Sequence, residues 1–423
     1  MPVGLEIFER GPLPSWQRVG QRLMSAEVGD VAAAVAAALD RPGTGDRIRP
    51  GMRVAIGAGS RGIDRLAEVI AALVSELRRR GAEPFIFPAM GSHGGATAAG
   101  QVEVLAHLGV TEEAVGAPVR ATMDTVLVGE TAAGVPVYVD TLASAADAII
   151  PVNRVKPHTD FRAPVESGLV KMIAIGMGKQ RGADTFHTRG FDHFADLLPE
   201  AAALTLSRLP LPFGLALVEN GLARLALVEA VPQAAMAARE RELLVLARQW
   251  LPRLPADRID VLVIDQLGKD ISGIGADTNV VNRYYTGQLP GAPRVGRIVV
   301  RGLTPTTEGN ASGIGLADVV LRRAAAQVDP LATYMNCITA KTPEGARMPM
   351  TVDNDRQAIH VALACCLRVE PGHEAIARIQ DTKHLAAFDA SLPLARDLIA
   401  AGCVEPLAPP RPMAFDRDGM LVD

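Results

Sequence analysis

Short apolar runs that end in glycine or a turn alternate with stretches of helical period through the first half of this chain. That alternation restricts the fold to a mainly parallel sheet covered by helices. Residues 52–56 form such a run, closed by Gly57. Residues 64–80 follow, with Leu66, Val69, Ile70, Leu73 and Leu77 on one helical face and with arginines and Gly81 at the end, the pattern of a helix stop. The next strand is expected at 84–90, a second helix at 96–108, and strands at 125–128 and 135–139 around Gly134. Another strand is expected at 148–155 and a helix at 191–209. Asn220-Gly221 reads as a hairpin turn between strands at 215–218 and 222–228, before a long amphipathic helix at 233–251.

A proline-punctuated segment, LPRLPADR, then precedes a fresh buried strand at 261–264, another at 298–300, and helices near 317–325 and 357–367. At roughly 100–200 residues per domain, a chain of 423 residues has room for two or three. The expected class is α/β with two domains, each a mainly parallel sheet flanked by helices, and the active site in the cleft between them. Residues 1–255 would be an N-terminal catalytic and cofactor domain, 256–403 a C-terminal α/β domain closing the cleft, and the Pro-rich tail, about 404–423, would return to the first domain.

Composition narrows the function. Forty-three basic against 47 acidic residues give a net charge of −4, and aromatics are 4% of the chain, so neither an electrostatic footprint nor a stacking platform for nucleic acid is present. The four cysteines, Cys337, Cys365, Cys366 and Cys403, form no CxxC pair, and Cys365-Cys366 follows an apolar run that reads as helix core. The N-terminus shows no apolar segment of signal-peptide type, and the run 31–39 is far too short to span a membrane. A cytoplasmic protein with no membrane or nucleic-acid partner is expected.

Several constellations fall where strands end, which is where ligands bind in open α/β sheets. Gly57-Ala58-Gly59-Ser60-Arg61-Gly62 is a GxGxxG string between a strand and a helix. A dinucleotide site would also need an acid at the end of the next strand, which instead reads Phe87-Pro88-Ala89-Met90. A plain turn remains open beside an anion site, in which Arg61 stands at a helix N-terminus suited to a carboxylate or phosphate. Gly91-Ser92-His93-Gly94-Gly95 is a glycine-rich loop after the second strand; a histidine without side-chain padding suits acid–base work. His158 follows Lys156-Pro157 at another strand end. Lys171 lies in the apolar run Gly168-Leu-Val-Lys-Met-Ile-Ala-Ile-Gly176, so it is either desolvated and nucleophilic or a snorkelling surface amine. The six-residue spacing of His187 and His193 matches no common zinc motif. Asp265-Gln266-Leu267-Gly268-Lys269 closes the strand 261–264. His107, His360, His373 and His384 read as packing or surface residues.

Taken in order, these pieces resemble the nickel-dependent lactate racemase family, over most of the chain and most specifically from residue 52 to 270. Ser60-Arg61 after a strand resembles its Thr-Arg-Pro turn, Gly91-Ser92-His93 its Gly-x-His, Pro157-His158 its Pro-His, and Gln266-x-x-Lys269 its Gln-x-x-Lys. Lys171 and His187 are 16 residues apart, the interval of the family's cofactor lysine and nickel histidine. The resemblance implies a nickel pincer nucleotide, a pyridinium-3,5-bisthiocarboxylate-type mononucleotide, that the purified protein need not carry. His187 would ligate the metal, Lys171 would bind the cofactor, and Gly59, Ser60 and Gly91 would line it. His93 and His158 would be paired bases on opposite faces of a 2-hydroxy acid, Arg61 would hold its carboxylate, and Gln266 and Lys269 would close the site from the second domain. Enzymes that make the cofactor are implied partners.

Ala58 stands where the family has an acid, Gly62 replaces its proline, and Asp265 its aromatic; Thr159 to Val170, with Arg162 and Glu166 inside, replaces Ala-Gly-Phe-Ser-Gly-Gly. These departures suggest a larger or more polar 2-hydroxy acid, such as a hydroxy diacid or an aldonate, with Arg162 and Asp265 among its contacts. The alternatives from other classes are an NAD-dependent 2-hydroxy-acid dehydrogenase, from the GxGxxG string, and a non-catalytic binder of cofactor or hydroxy acid.

Overall fold

A computed structural model describes residues 4–9, 11–284 and 293–422. The chain divides into two compact units, one formed by residues 25–251 and the other by residues 1–24 together with 252–423. The strands in chain order are β1 (Trp16–Gly20), β2 (Arg53–Ala58), β3 (Glu83–Pro88), β4 (Thr125–Glu130), β5 (Pro136–Asp140), β6 (Ala148–Arg154), β7 (Phe213–Glu219) and β8 (Leu225–Pro232). They continue with β9 (Arg258–Ile264), β10 (Arg294–Val300), β11 (Val319–Leu321), β12 (Met350–Val352), β13 (Ile376–Ile379), β14 (Ala387–Ser391) and β15 (Glu405–Pro406).

In the unit of residues 25–251, five strands pair in the order β3-β2-β6-β7-β8, with β3, β2, β6 and β7 parallel and β7–β8 an antiparallel hairpin. Side chains alternate across this sheet as the strand period requires. Ala55, Phe85, Phe87 and Ile149 enter one core layer with Leu169, Ile173, Phe186 and Phe194. Val54, Ile56, Ile86 and Ile150 enter the other, with Leu66, Ile70, Leu73 and Leu77 of the helix Leu66–Arg79. That helix carries Glu68 in its first turn and Arg78 and Arg79 in its last, complementing its dipole, and the chain leaves it through Gly81 at φ +79°. β4 and β5 form a separate antiparallel pair.

In the other unit the order is β12-β11-β10-β9-β13-β14-β1-β15; β9 to β13 are parallel, and β14, β1 and β15 run antiparallel to their neighbours. Three expectations change here. Residues 317–325 are strand β11 followed by the one-turn helix Arg322–Ala325, because Val319, Val320 and Leu321 are fully buried between β10 and β12. The tail does not return to the first half: β15 pairs with β1, which has β14 on its other edge, so both chain ends complete this second sheet. Cys365 and Cys366 lie just past the helix Asp355–Ala364, half-buried, with the Cys366 thiol against the Asp260 carbonyl at 3.2 Å. Among the described residues, no helix is long and apolar enough to cross a membrane, and all four cysteines are free thiols.

Candidate functional site

β2 lies between β3 and β6, so the loops leaving the C-terminal ends of these three strands emerge side by side. They carry Arg61, His93 and His158 respectively. Beneath them runs the segment 168–187, made of the Lys171 helix (Leu169–Ala174), a single 3-10 turn, and the His187 helix (Lys179–His187). Close backbone approaches fix this stacking. A Cβ on Gly59 would meet the Met172 methyl at 3.3 Å, one on Gly176 would stand 2.7 Å from the Ala89 carbonyl oxygen, and one on Gly91 would stand 2.9 Å from the Ala183 Cβ.

The His158 loop is built around a buried carboxylate. Glu166, fully buried, accepts the backbone N–H of His158 at 2.6 Å and that of Ala163 at 3.0 Å, and Arg248 donates to it at 2.5 Å. Arg162 donates to the His158 carbonyl at 2.6 Å and the Phe161 carbonyl at 3.1 Å and lies 3.6 Å from Glu166. Arg162 therefore braces the loop.

The His158 ring lies 2.5 Å, Nε2 to Nζ, from Lys171. Burial pushes the imidazole well below its ordinary pKa, and Lys171, Lys156, His187 and Arg162 push it further, so it is neutral at pH 7. Burial also lowers the Lys171 amine to about 8, with Asp160 opposing and Arg61 assisting. The Nδ1 atom accepts the Asp160 N–H at 3.0 Å, which places the ring proton of the neutral imidazole on Nε2. Nε2–H then points at Lys171, a contact that disfavours the ammonium form and so acts in the same direction as burial. Burial and the hydrogen-bond pattern push in the same direction, and Lys171 is a buried amine that gives up its proton near pH 8, not a snorkelling surface cation.

An aromatic cluster joins this pair to His187. The His158 ring centroid is 4.4 Å from Phe161 and 5.9 Å from Phe191, while His187 is 5.7 Å from Phe191 and stacks on Phe194 at 5.8 Å. His187 is half-buried; His193, six residues on, is exposed beside Asp192.

Other expectations are revised. The Gly57–Gly62 string does not open a helix: residues 59–65 form a loop and the helix starts at Leu66. Arg61 therefore stands on an exposed loop and not at a helix N-terminus, and the geometry of a dinucleotide fingerprint is missing. Gln266 and Lys269 follow β9 in the other unit, where the Lys269 Nζ donates to the Gly273 carbonyl at 2.6 Å. Asp265 lies between two guanidinium groups, Arg301 at 2.6 Å and Arg378 at 3.0 Å; Arg301 also holds buried Asp355 at 2.7 Å. Its carboxylate organises this charge network, and the role of a substrate contact gains nothing from the geometry.

Residues 14–195 match the model of the lactate racemase N-terminal domain. Over these residues the chain is similar to the lactate racemase family. The matched span runs from just before β1 into the helix Phe194–Arg208 and so includes Arg61, His93, His158, Lys171 and His187. The fold agrees: the apoprotein structure of lactate racemase from Thermoanaerobacterium thermosaccharolyticum superposes with a TM-score of 0.52 at 14% identity, covering 86% of this chain and 93% of that one. No curated protein matches this chain significantly.

Proposed function

We propose that this protein racemises or epimerises a 2-hydroxy acid with the help of a bound nickel pincer nucleotide. The observation that carries the reading is the pairing of a desolvated Lys171 amine with the neutral His158 imidazole at 2.5 Å, next to His187 across Phe191. The residues fit such a group. Among the described residues no three His, Cys, Asp or Glu side chains gather into a metal cage. A metal at His187 would then take its remaining donors from an organic ligand, and imidazole with sulfur suits nickel. When bound, the group supplies an electrophilic centre able to accept and return the hydride of the substrate C2–H bond.

The chain supplies the rest. A 2-hydroxy acid is too weak a carbon acid for imidazole, but its hydroxyl proton is within reach of a neutral one. His158 is neutral by burial and serves as one base; His93, on the neighbouring loop, serves as the other, since two enantiomers present their hydroxyl groups from two sides. Arg61, whose guanidinium is near enough to Lys171 to depress its pKa, pairs with the substrate carboxylate. Lys171 binds the cofactor through its side-chain amine, with Gly59, Ser60 and Gly91 in the surrounding loops. The roles of Gln266 and Lys269 rest on the resemblance alone. Loading requires cofactor-making enzymes, and the cytoplasm is the proposed compartment.

The test is co-expression with those enzymes, then intact mass, nickel analysis and loss of deuterium from C2 of lactate, malate and gluconate without added NAD. A mass increment on the Lys171 peptide, one nickel per chain and C2 isotope loss are expected. A His187→Ala or Lys171→Ala protein that retains nickel as well as wild type would sink the reading.

A further inference from the structure

Lys179, the first residue of the His187 helix, is fully buried, and its ammonium donates two hydrogen bonds and forms one ion pair. Nζ reaches the Pro88 carbonyl oxygen at 2.5 Å, the Gln101 Oε1 at 3.0 Å and the Asp140 Oδ2 at 3.1 Å. Two N–H groups thus meet carbonyl acceptors, and the buried charge has its counter-charge in Asp140. The backbone of Lys179 sits at φ +55°, ψ −159°, a region that only glycine occupies without strain, so the side-chain bonds hold a conformation the main chain resists.

Gln101 is equally buried. An ammonium cannot accept, so the glutamine carbonyl must face Nζ and the amide NH2 must face away. That NH2 donates to the Met90 carbonyl at 3.0 Å and to the Gly91 carbonyl at 2.8 Å. Pro88, Met90 and Gly91 all lead into the His93 loop. Lys179, Ala183 and His187 follow at intervals of four and share one face of their helix, and Gly91 packs against Ala183 on that face. One buried ammonium therefore ties the loop of one candidate base to the helix of the candidate metal ligand.

We propose that Lys179 and Gln101 are positioning residues that fix the His93 loop against the His187 helix. The proposal rests, for its effect on turnover, on the function argued above. Replacing Lys179 would leave Asp140 buried without a counter-charge and would test folding, so Gln101 carries the experiment. Gln101→Met keeps the length and removes the amide; Gln101→Glu keeps an acceptor toward Nζ and removes the donors. Hydrogen exchange of the full, cofactor-free chain reads peptides over residues 89–97, with 66–79 as internal control. Both variants are expected to speed exchange at 89–97 by at least about fivefold and leave 66–79 unchanged. In the loaded enzyme both are expected to lower kcat about 10–100-fold at unchanged KM and unchanged nickel content, as a loop displaced by about 1 Å would. Unchanged exchange at 89–97 in both variants overturns the proposal, and so does faster exchange with full kcat. His93→Asn separates the two readings. If it retains full turnover, the assignment of His93 as a base falls, and the exchange data then decide the positioning role without it.

Discussion

Glu240 gives the sharpest physical test of the fold around Lys171. It projects from the helix Met236–Trp250, is 1% exposed, and its Oε2 accepts the Val170 N–H at 2.9 Å at the start of the Lys171 helix. Gly168 makes room for it, since a Cβ there would lie 2.5 Å from the carboxyl carbon. Burial raises its pKa from 4.5 to about 7, against the pull of the Val170 and Leu169 N–H groups. The folded protein therefore holds this proton more tightly than the unfolded chain does. Stability from this group is intact below pH 4.5, falls as pH rises through about 7, and is lost above it. A rise from 4.5 to about 7 corresponds to about 3 kcal/mol. At about 2–4 °C per kcal/mol for a domain of this size, that is about 6–12 °C in Tm. A glutamine side chain cannot ionise and mimics the protonated acid. Glu240→Gln should match wild type near pH 4.5 and exceed it by this margin at about pH 8.5. Thermal unfolding of both proteins across that range isolates the residue, because every other group titrates alike in the two. Parallel Tm curves would refute the reasoning.

Three further outcomes are expected. Lys171 should react with amine-acylating reagents with a midpoint near pH 8, well below ordinary lysines; peptide mapping that finds it no more reactive than surface amines at pH 8 would contradict its desolvation. Glu166→Ala strips acceptors from His158 N–H, Ala163 N–H and Arg248 and should cost about 3 kcal/mol by urea unfolding, with Arg248 partly resolvated; a loss under about 1 kcal/mol would mean the loop holds itself. Gly94→Ala places a Cβ 2.3 Å from the Gly100 carbonyl carbon at φ +64°, so it should displace the His93 loop and lower turnover about 100-fold while leaving nickel content intact, measured on the loaded enzyme.

Local pattern carried much of the architecture. The apolar runs at 52–56, 148–155 and 261–264 are strands with three or more consecutive buried residues, as a sheet covered on both faces requires, and the stop signals at Arg78, Arg79 and Gly81 end their helix as read. The same pattern put Arg61, His93 and His158 at strand ends, which is why a candidate site was visible at all. Local pattern failed at 317–325, where Val319, Val320 and Leu321 are buried on both faces of a sheet that distant segments complete.

What the linear order could not show is who partners whom. Glu166 meets Arg248 across 82 residues, Lys179 meets Gln101 across 78, and Glu240 meets Val170 across 70. Each is one charged or polar residue in a helix or loop, no different in sequence from a solvated surface group. Their meaning arises when folding removes water: a buried charge must find a counter-charge or a set of donors, and those lie on whatever elements the sheet brings near. Periodicity is a property of neighbours along the chain, whereas desolvation is a property of neighbours in space. The same separation explains Lys171, whose apolar surroundings were evident from residues 168–176 but whose hydrogen-bond partner is an imidazole 13 positions upstream, held in one tautomer by the Asp160 backbone.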